Sequence, residues 1–375
     1  MRKSLRGKQI VACGTLVALI AATTAAPALA VTTNPVQRAL DQVTVQGGAP
    51  GAEAVVTEHG RVTETRSGVG DLTTGKPYPR DAKFRVGSIT KTFVATVVLQ
   101  LVAEGKIKLD EPIERYLPGL ITGNGNDGRA ITVRNLLQHT SGLYSYTDDV
   151  LATGDLESLR HRGAEPGELV ALAMKHPPLF APGSSWSYSN TNYIVAGMLV
   201  EKVTGHGLAG ELTRRITRPL GLRDTSLPGR GDEQLPAPHP RGYLTLGGPL
   251  VDFTDFDPSI AGAAGALVST GRDLDKFYSA LLGGRLLPAS QLAQMQRTVP
   301  VPGEPGTDYG LGLFHRTLPD GTRYWGHGGD IFGFATLAGA LDGGRAATVS
   351  ANEDPLPDTV REATETAFEV ALAGK

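Results

Sequence analysis

Phe93, Val94, Val97, Val98, Leu101 and Val102 recur at i, i+1, i+4, i+5, i+8 and i+9, which puts them on one face of a helix. This spacing predicts a helix over residues 88–104, with Gly105 as its C-cap. Upstream, residues 54–67 carry short apolar–polar runs around Val56 and Val62, the pattern of hairpin strands. From about Leu109 to Pro240 the apolar positions are helical in period and broken repeatedly by Pro and Gly. Helices are predicted there over 133–138 behind an N-cap Thr132, over 167–175, and over 191–203 closing at Gly205. Thr270-Gly-Arg-Asp273 has the form of a capping box before a further helix. Strand patterns return at 309–313, 322–325, 335–340 and 346–350, and 359–373 reads as a final helix. Strands at both ends around a helical middle predict a sheet domain with an inserted all-α subdomain at about 109–245. Active sites favour such seams.

Composition and charge narrow the setting. Arg2, Lys3, Arg6 and Lys8 precede an apolar run over residues 10–26, and Ala28-Leu-Ala30 supplies a small-x-small cleavage pattern. Residues 1–30 therefore read as a secretory signal peptide, leaving 31–375 as the exported domain. A membrane anchor is the weaker reading, because Thr and Ala dilute the run and no stop-transfer charges flank it. The single cysteine, Cys13, leaves with the signal, so stability outside the cell must come from core burial rather than disulfides. The formal charge of −2 becomes more negative once those four basic residues are gone, and no basic block remains. Nucleic acid and anionic lipid are thereby excluded as partners. No second apolar run reaches the ~20 residues needed to cross a bilayer, so a soluble chain without a stable membrane anchor, and a monomer, is expected.

Three polar motifs carry candidate chemistry. In Ser88-Ile-Thr-Lys91 a hydroxyl and an amine lie about one helical turn apart on one face. A serine hydroxyl is a poor nucleophile until a base takes its proton, and a lysine among cationic or apolar neighbours can have its pKa lowered enough to be that base. The helix N-terminus also points N–H groups at a developing oxyanion. Tyr188-Ser-Asn190 follows Pro182-Gly183; Tyr188 can relay a proton and Asn190 can hold Lys91 or a substrate amide. His327-Gly-Gly329 offers an imidazole suited to proton transfer near neutral pH, beside glycines that let a substrate approach closely. Each motif taken singly also has a structural reading: an N-cap serine with a solvated lysine, a buried tyrosine with a capping Asn, a histidine at a strand end. His139 reads as a structural residue fixing a helix end. There is no G-x-S-x-G elbow, H-E-x-x-H or P-loop, and the eight scattered histidines show no zinc spacing, so no metal or cofactor is expected.

In that order the three motifs resemble those of the penicillin-recognising serine hydrolases. His327-Gly-Gly in place of Lys-Thr-Gly is similar to the branch holding class C β-lactamases, D-Ala-D-Ala carboxypeptidases, D-aminopeptidases and related esterases. The likeness includes Phe84-Arg-Val-Gly-Ser-Ile-Thr-Lys91, residues 136–143, Tyr188-Ser-Asn-Thr-Asn192, Gly265-Ala-Leu-Val-Ser-Thr270 and residues 309–313. It implies an α+β fold, with a five-stranded antiparallel sheet flanked by helices, an inserted all-α domain, and the site between them. It further implies Ser88 as acylated nucleophile, Lys91 as base, Tyr188 as proton relay, Asn190 as partner of substrate and lysine, and His327 as third-motif polar group. The N–H of Ser88 and that of Asp330 would be the oxyanion donors, with Gly328 and Gly329 along the substrate.

The departures bear on substrate. Secreted carboxypeptidases of this kind hold a terminal carboxylate with His-Thr-Gly-Thr and an arginine after the Gly-Leu-Gly-Leu stretch. Here those become His327-Gly-Gly-Asp330 and Phe314, although Arg316 shares a strand face with Phe314. The lost guanidinium and the added carboxylate weaken recognition of a C-terminal D-Ala or a penicillin carboxylate. The expected function is a secreted serine acyl hydrolase acting on a small peptide, ester or β-lactam-like substrate. A D-Ala-D-Ala carboxypeptidase is the leading form, and an esterase or D-aminopeptidase the alternative. A cleft-retaining binding protein without catalysis is the non-enzymatic alternative.

Overall fold

Side chains two apart on the long strands go to the same face, and both faces are covered. On the strand Phe334–Leu341, Phe334, Ala338 and Ala340 join one hydrophobic core, while Ala335 joins another. The computed structural model describes residues 34–152, 155–245, 248–342 and 344–374. The predicted signal peptide and Cys13 lie outside the described residues.

One antiparallel sheet organises the chain. Its strands are β1 (Gly51–Glu58), β2 (Arg61–Asp71), β3 (Lys76–Pro77), β4 (Val299–Pro300), β5 (Thr307–Tyr309), β6 (Phe314–Thr317), β7 (Arg323–Ile331), β8 (Phe334–Leu341) and β9 (Ala346–Ala351). They lie in the order β4-β5-β6-β7-β8-β9-β1-β2-β3. The predicted hairpin at 54–67 is β1–β2, with Val56 opposite Thr63. Nine strands replace the expected five, and the reason is length. The five strands of six residues or more are the contiguous centre β7-β8-β9-β1-β2, and the four added at the edges have two to four residues each.

The helices used below are α1 (Pro35–Asp41), α2 (Thr90–Ala103), α3 (Val133–Leu137), α4 (Tyr146–Ala152), α5 (Pro166–Ala173), α6 (Asn190–Thr204), α7 (Gly271–Leu282) and α8 (Asp358–Ala373). α1 and α8 close one face of the sheet around Val36, Leu40, Val349, Phe368 and Leu372. The other face shares a single core with the helical region, from Phe84 and Phe93 through Leu136, Tyr146 and Leu199 to Phe277. Phe93 stacks on Phe277 with centroids 3.6 Å apart, joining α2 to α7. α2 begins at Thr90 rather than 88, because Gly87–Ile89 forms a 3₁₀ turn first.

The capping readings mostly hold. Thr132 and Asn135 cap α3 reciprocally, and Gly205 ends α6 in the left-handed conformation. At Thr270 the box is half made. Its side chain accepts from the Asp273 N–H at 3.2 Å, but the Asp273 carboxylate accepts from Thr225 Oγ1 at 2.8 Å instead of turning back. Residues 310–313 are not a strand. Gly312 has φ +85°, and the N–H groups of Leu311 and Gly312 donate to Met295 and Leu137 outside any ladder. Region 109–245 also contains a short hairpin, Thr122–Gly123 with Asn126–Asp127, and Tyr243–Thr245 pairs with Leu250–Asp252, so it is not wholly helical.

Candidate active site

Ser88 sits in the 3₁₀ turn at the head of α2, and Lys91 returns one turn later on the same side. Phe84–Arg85 pairs with Val268–Ser269, which holds the segment leading to Ser88 against the one carrying Ala264. Lys91 is fully buried, and its Nζ lies 2.8 Å from Ser88 Oγ, 2.7 Å from Asn190 Oδ1 and 2.7 Å from the Ala264 carbonyl. Burial drives its pKa well below the ordinary lysine value. The Tyr188 ring 4.8 Å from Nζ favours the charged form, but a cation–π contact offsets only part of the cost of burying an ammonium. A neutral amine satisfies all three neighbours: two N–H groups donate to the carbonyl oxygens, and the lone pair accepts the Ser88 O–H. That is a serine held ready for deprotonation.

Tyr188 lies at the cleft wall with its hydroxyl against Ser88, and burial pushes its phenol well above the usual range. It therefore stays protonated rather than residing as a phenolate. Asn190 opens α6. Its Oδ1 faces Lys91, its Nδ2 donates to Thr147 Oγ1 at 3.1 Å, and its N–H donates to Ser145 Oγ at 3.0 Å.

His327 is buried in the middle of β7, not at a strand end. Its Nδ1–H donates to the Gly328 carbonyl, and its Nε2 accepts from the Tyr309 hydroxyl at 3.1 Å. Burial above all lowers its pKa to about 3. The expectation of an imidazole titrating near neutral pH is corrected accordingly: the ring is a neutral wall beside Tyr188 and Phe314, not a resident proton store.

Glycine brings β7 up to the nucleophile. A side chain at Gly329 would collide with the Val86 carbonyl, and a Cβ at Gly87, whose φ is +52°, would come within 2.9 Å of Asp330 N and O. The Gly87–Ser88 and Gly329–Asp330 backbones therefore run in contact. Gly328, Gly329 and Asp330 line a cleft of about 250 Å³ with Ser88, Tyr188, Phe314, Arg316 and His327. Arg316 reaches this cleft but is already engaged, stacked 4.5 Å over the Phe314 ring and 3.3 Å from Glu304 Oε2. A second lobe, of about 380 Å³, opens from Ser88 toward α4 and is lined by Tyr146, Phe256, Ile260, Phe332, Asp330 and Asp354 among others.

The structure thus gathers every predicted site residue around Ser88. It adds some that the sequence reading passed over. Ala264 contributes a backbone carbonyl, for which no side-chain signal exists. His139, assigned only a structural role, lies behind Tyr188 with ring centroids 4.2 Å apart. Its Nδ1 accepts from the Ser189 N–H at 3.2 Å and from Asn192 Nδ2 at 3.1 Å, so it positions the whole Tyr188–Asn190 turn. Burial keeps its ring neutral. Among the described residues, no group of three or more His, Cys, Asp or Glu is placed to hold a metal ion, and no helix is long and apolar enough to cross a membrane.

A serine bonded to a buried lysine, at the seam of an antiparallel sheet and a helical region, defines a serine hydrolase of the β-lactamase and penicillin-binding-protein class. Residues 36–372 match the family described as Beta-lactamase, and the chain belongs to it. It is similar to the crystal structure of a D-stereospecific amidohydrolase from Streptomyces sp., at 44% identity and TM-score 0.84, covering 91% of this chain and 98% of that one. A D-amino acid amidase from Ochrobactrum anthropi SV3, solved with L-phenylalanine amide, gives 30% identity and TM-score 0.80 over 90% of this chain and 96% of its own. Esterase EstB of Burkholderia gladioli is 33% identical over 54% of this chain, and the match spans 53% of that esterase. The intact Ser88–Lys91 pair and the family set aside the non-enzymatic alternative.

Proposed function

We propose that the chain hydrolyses small amides and esters of D-amino acids through a covalent acyl-Ser88 intermediate. The observation that carries this reading is the 2.8 Å contact between Lys91 Nζ and Ser88 Oγ, in a setting whose burial drives the amine's pKa well below the ordinary lysine value. Lys91 takes the Ser88 proton as Oγ bonds to the substrate carbonyl carbon, and the N–H groups of Ser88 and Asp330 receive the oxyanion. The tetrahedral intermediate collapses as the Lys91 proton passes through Tyr188 to the leaving amine or alcohol. Water then attacks the acyl ester, giving a proton to Lys91, and Lys91 returns it to Ser88 Oγ as the acyl C–Oγ bond breaks and the acid leaves.

The carboxypeptidase form is less well supported. Arg316 is committed to Phe314 and Glu304, and the Asp330 carboxylate stands where a terminal carboxylate would be held. The comparisons with a D-stereospecific amidohydrolase and a D-amino acid amidase favour the amide arm. A panel of D-phenylalanine amide, a p-nitrophenyl ester, a chromogenic cephalosporin and acyl-D-Ala-D-Ala tests the choice, and fastest turnover of acyl-D-Ala-D-Ala would reverse it. Ser88→Ala is expected to lower kcat by at least ~10³ and to abolish fluorophosphonate labelling. Export is part of the proposal and rests on the N-terminal pattern; N-terminal sequencing of protein recovered outside the cell should begin near Val31.

A further inference from the structure

Asn190 accepts from Lys91 only while its carboxamide is turned one way, and the amide itself does not decide which. Its oxygen and nitrogen ends are nearly the same size, so half a turn about the terminal bond exchanges acceptor and donor without a steric penalty. Turned over, Nδ2–H would aim at Lys91 Nζ and compete with the Ser88 O–H for the lone pair of the amine. A latch stands against that rotation. Nδ2 donates to Thr147 Oγ1 at 3.1 Å, and Thr147 Oγ1 lies 2.8 Å from Ser145 Oγ, which accepts the Asn190 N–H at 3.0 Å. Side chain and backbone of Asn190 thus end on one pair of hydrogen-bonded hydroxyls at the start of α4. The pair is itself held in place. Thr191 Oγ1 donates to the Tyr144 carbonyl at 2.7 Å and accepts from the Tyr146 N–H at 3.1 Å, while the Tyr146 hydroxyl donates to the Ile260 carbonyl at 2.6 Å.

We propose that Thr147, backed by Ser145, is a positioning residue for the acyl-transfer reaction: it holds the Asn190 amide with its oxygen toward Lys91 and so keeps the lone pair of Lys91 for Ser88. This rests on the reading of Lys91 as the base. Lys91 is faced by Tyr188 and Tyr193, whose rings lie 4.8 and 5.7 Å from Nζ, by His139 and His327, and across the cleft by Asp330. Burial holds both phenols protonated and both imidazoles neutral. Loss of the amide oxygen therefore falls on Lys91 itself. The ammonium loses an acceptor and meets a donor, so deprotonation moves to lower pH, while the amine that forms is partly occupied by Nδ2–H. A turn loosened enough to admit water would act in the opposite direction, because solvation restores an ordinary lysine.

The test is the pH profile of kcat/KM for a neutral p-nitrophenyl ester. Thr147→Val keeps the shape of the side chain and removes the hydroxyl. It should lower the plateau about tenfold, with most of the loss in kcat, and move the rise down by roughly half a pH unit or more. Thr147→Ser should stay within about twofold of the wild type. On an Asn190→Ala background, Thr147→Val should change neither plateau nor rise, because the group it positions is gone. A Thr147→Val profile that coincides with the wild type, shifts upward, or shifts equally in the Asn190→Ala background overturns the positioning role. A wild-type profile without a rise below the range of a solvated lysine overturns Lys91 as the base instead, so the two failures are distinguishable.

Discussion

Lys91 is placed where neutrality and reactivity coincide. Its three oxygen neighbours fit an uncharged amine, and burial moves its deprotonation down from the ordinary lysine range. The sign follows directly. On the proposed mechanism the neutral form is the base, so kcat/KM for a neutral ester should rise with pH through the lowered Lys91 pKa and then level off, below the range in which a solvated lysine titrates. Lys91→Arg keeps its charge at every accessible pH, so it should lose roughly 10²–10⁴ in kcat and show no plateau; a pH–rate profile checks both. His139 acts one step further out. His139→Ala should lower kcat about tenfold with little change in KM, because the Tyr188 ring loses its backing and Ser189 its acceptor. His139 has φ +59°, which Asn tolerates, so His139→Asn should recover part of the loss in steady-state kinetics.

At the scale of elements, the approach of β7 to the turn bearing Ser88 is set by Gly329. Gly329→Ala should force the strand off the Val86 carbonyl, at a cost of roughly 1–3 kcal/mol, and slow Ser88 labelling more than it lowers Tm. Long elements with strong periodicity are legible from the sequence: the β1–β2 hairpin and the Thr132 cap stand where the pattern puts them, and α2 stands within two residues, although it is buried on nearly every side rather than on one face. The motif spacing made Ser88, Lys91 and Tyr188 legible as well. The edge strands β3 to β6 were not, since two to four residues carry too little alternation to separate a strand from a turn. The Gly-Leu-Gly-Leu stretch looked extended, whereas its glycines serve a turn packed on α2: a Cβ at Gly312 would meet Ala95 Cβ at 2.5 Å.

At the scale of the whole molecule, Glu53 and Asp275 are among the buried acids that lie away from the site. Glu53 on β1 has its carboxyl pushed well up by burial, and burial raises Asp275 on α7 to about 8, with Thr348 Oγ1 donating to it at 2.8 Å. Between about pH 4 and 8 the unfolded Asp275 ionises while the folded one does not, so the unfolded chain holds fewer protons and stability falls as pH rises. One such group can contribute at most about 1.4 kcal/mol per pH unit. Asp275→Asn should keep the Thr348 contact and narrow the Tm difference between pH 5 and pH 8 by several degrees, as measured by calorimetry.

The sheet also has a consequence in time. β1 pairs with β9, Ala52 opposite Ala351, so the centre of the sheet joins strands separated in the chain by the whole helical region. At roughly 5–20 residues per second, the first hairpin waits many seconds on the ribosome for its neighbour. Until β7 has been made, Ser88 lacks the strand that carries Asp330. The Ser88–Lys91 pair is thus made well before the strand that completes the cleft beside it.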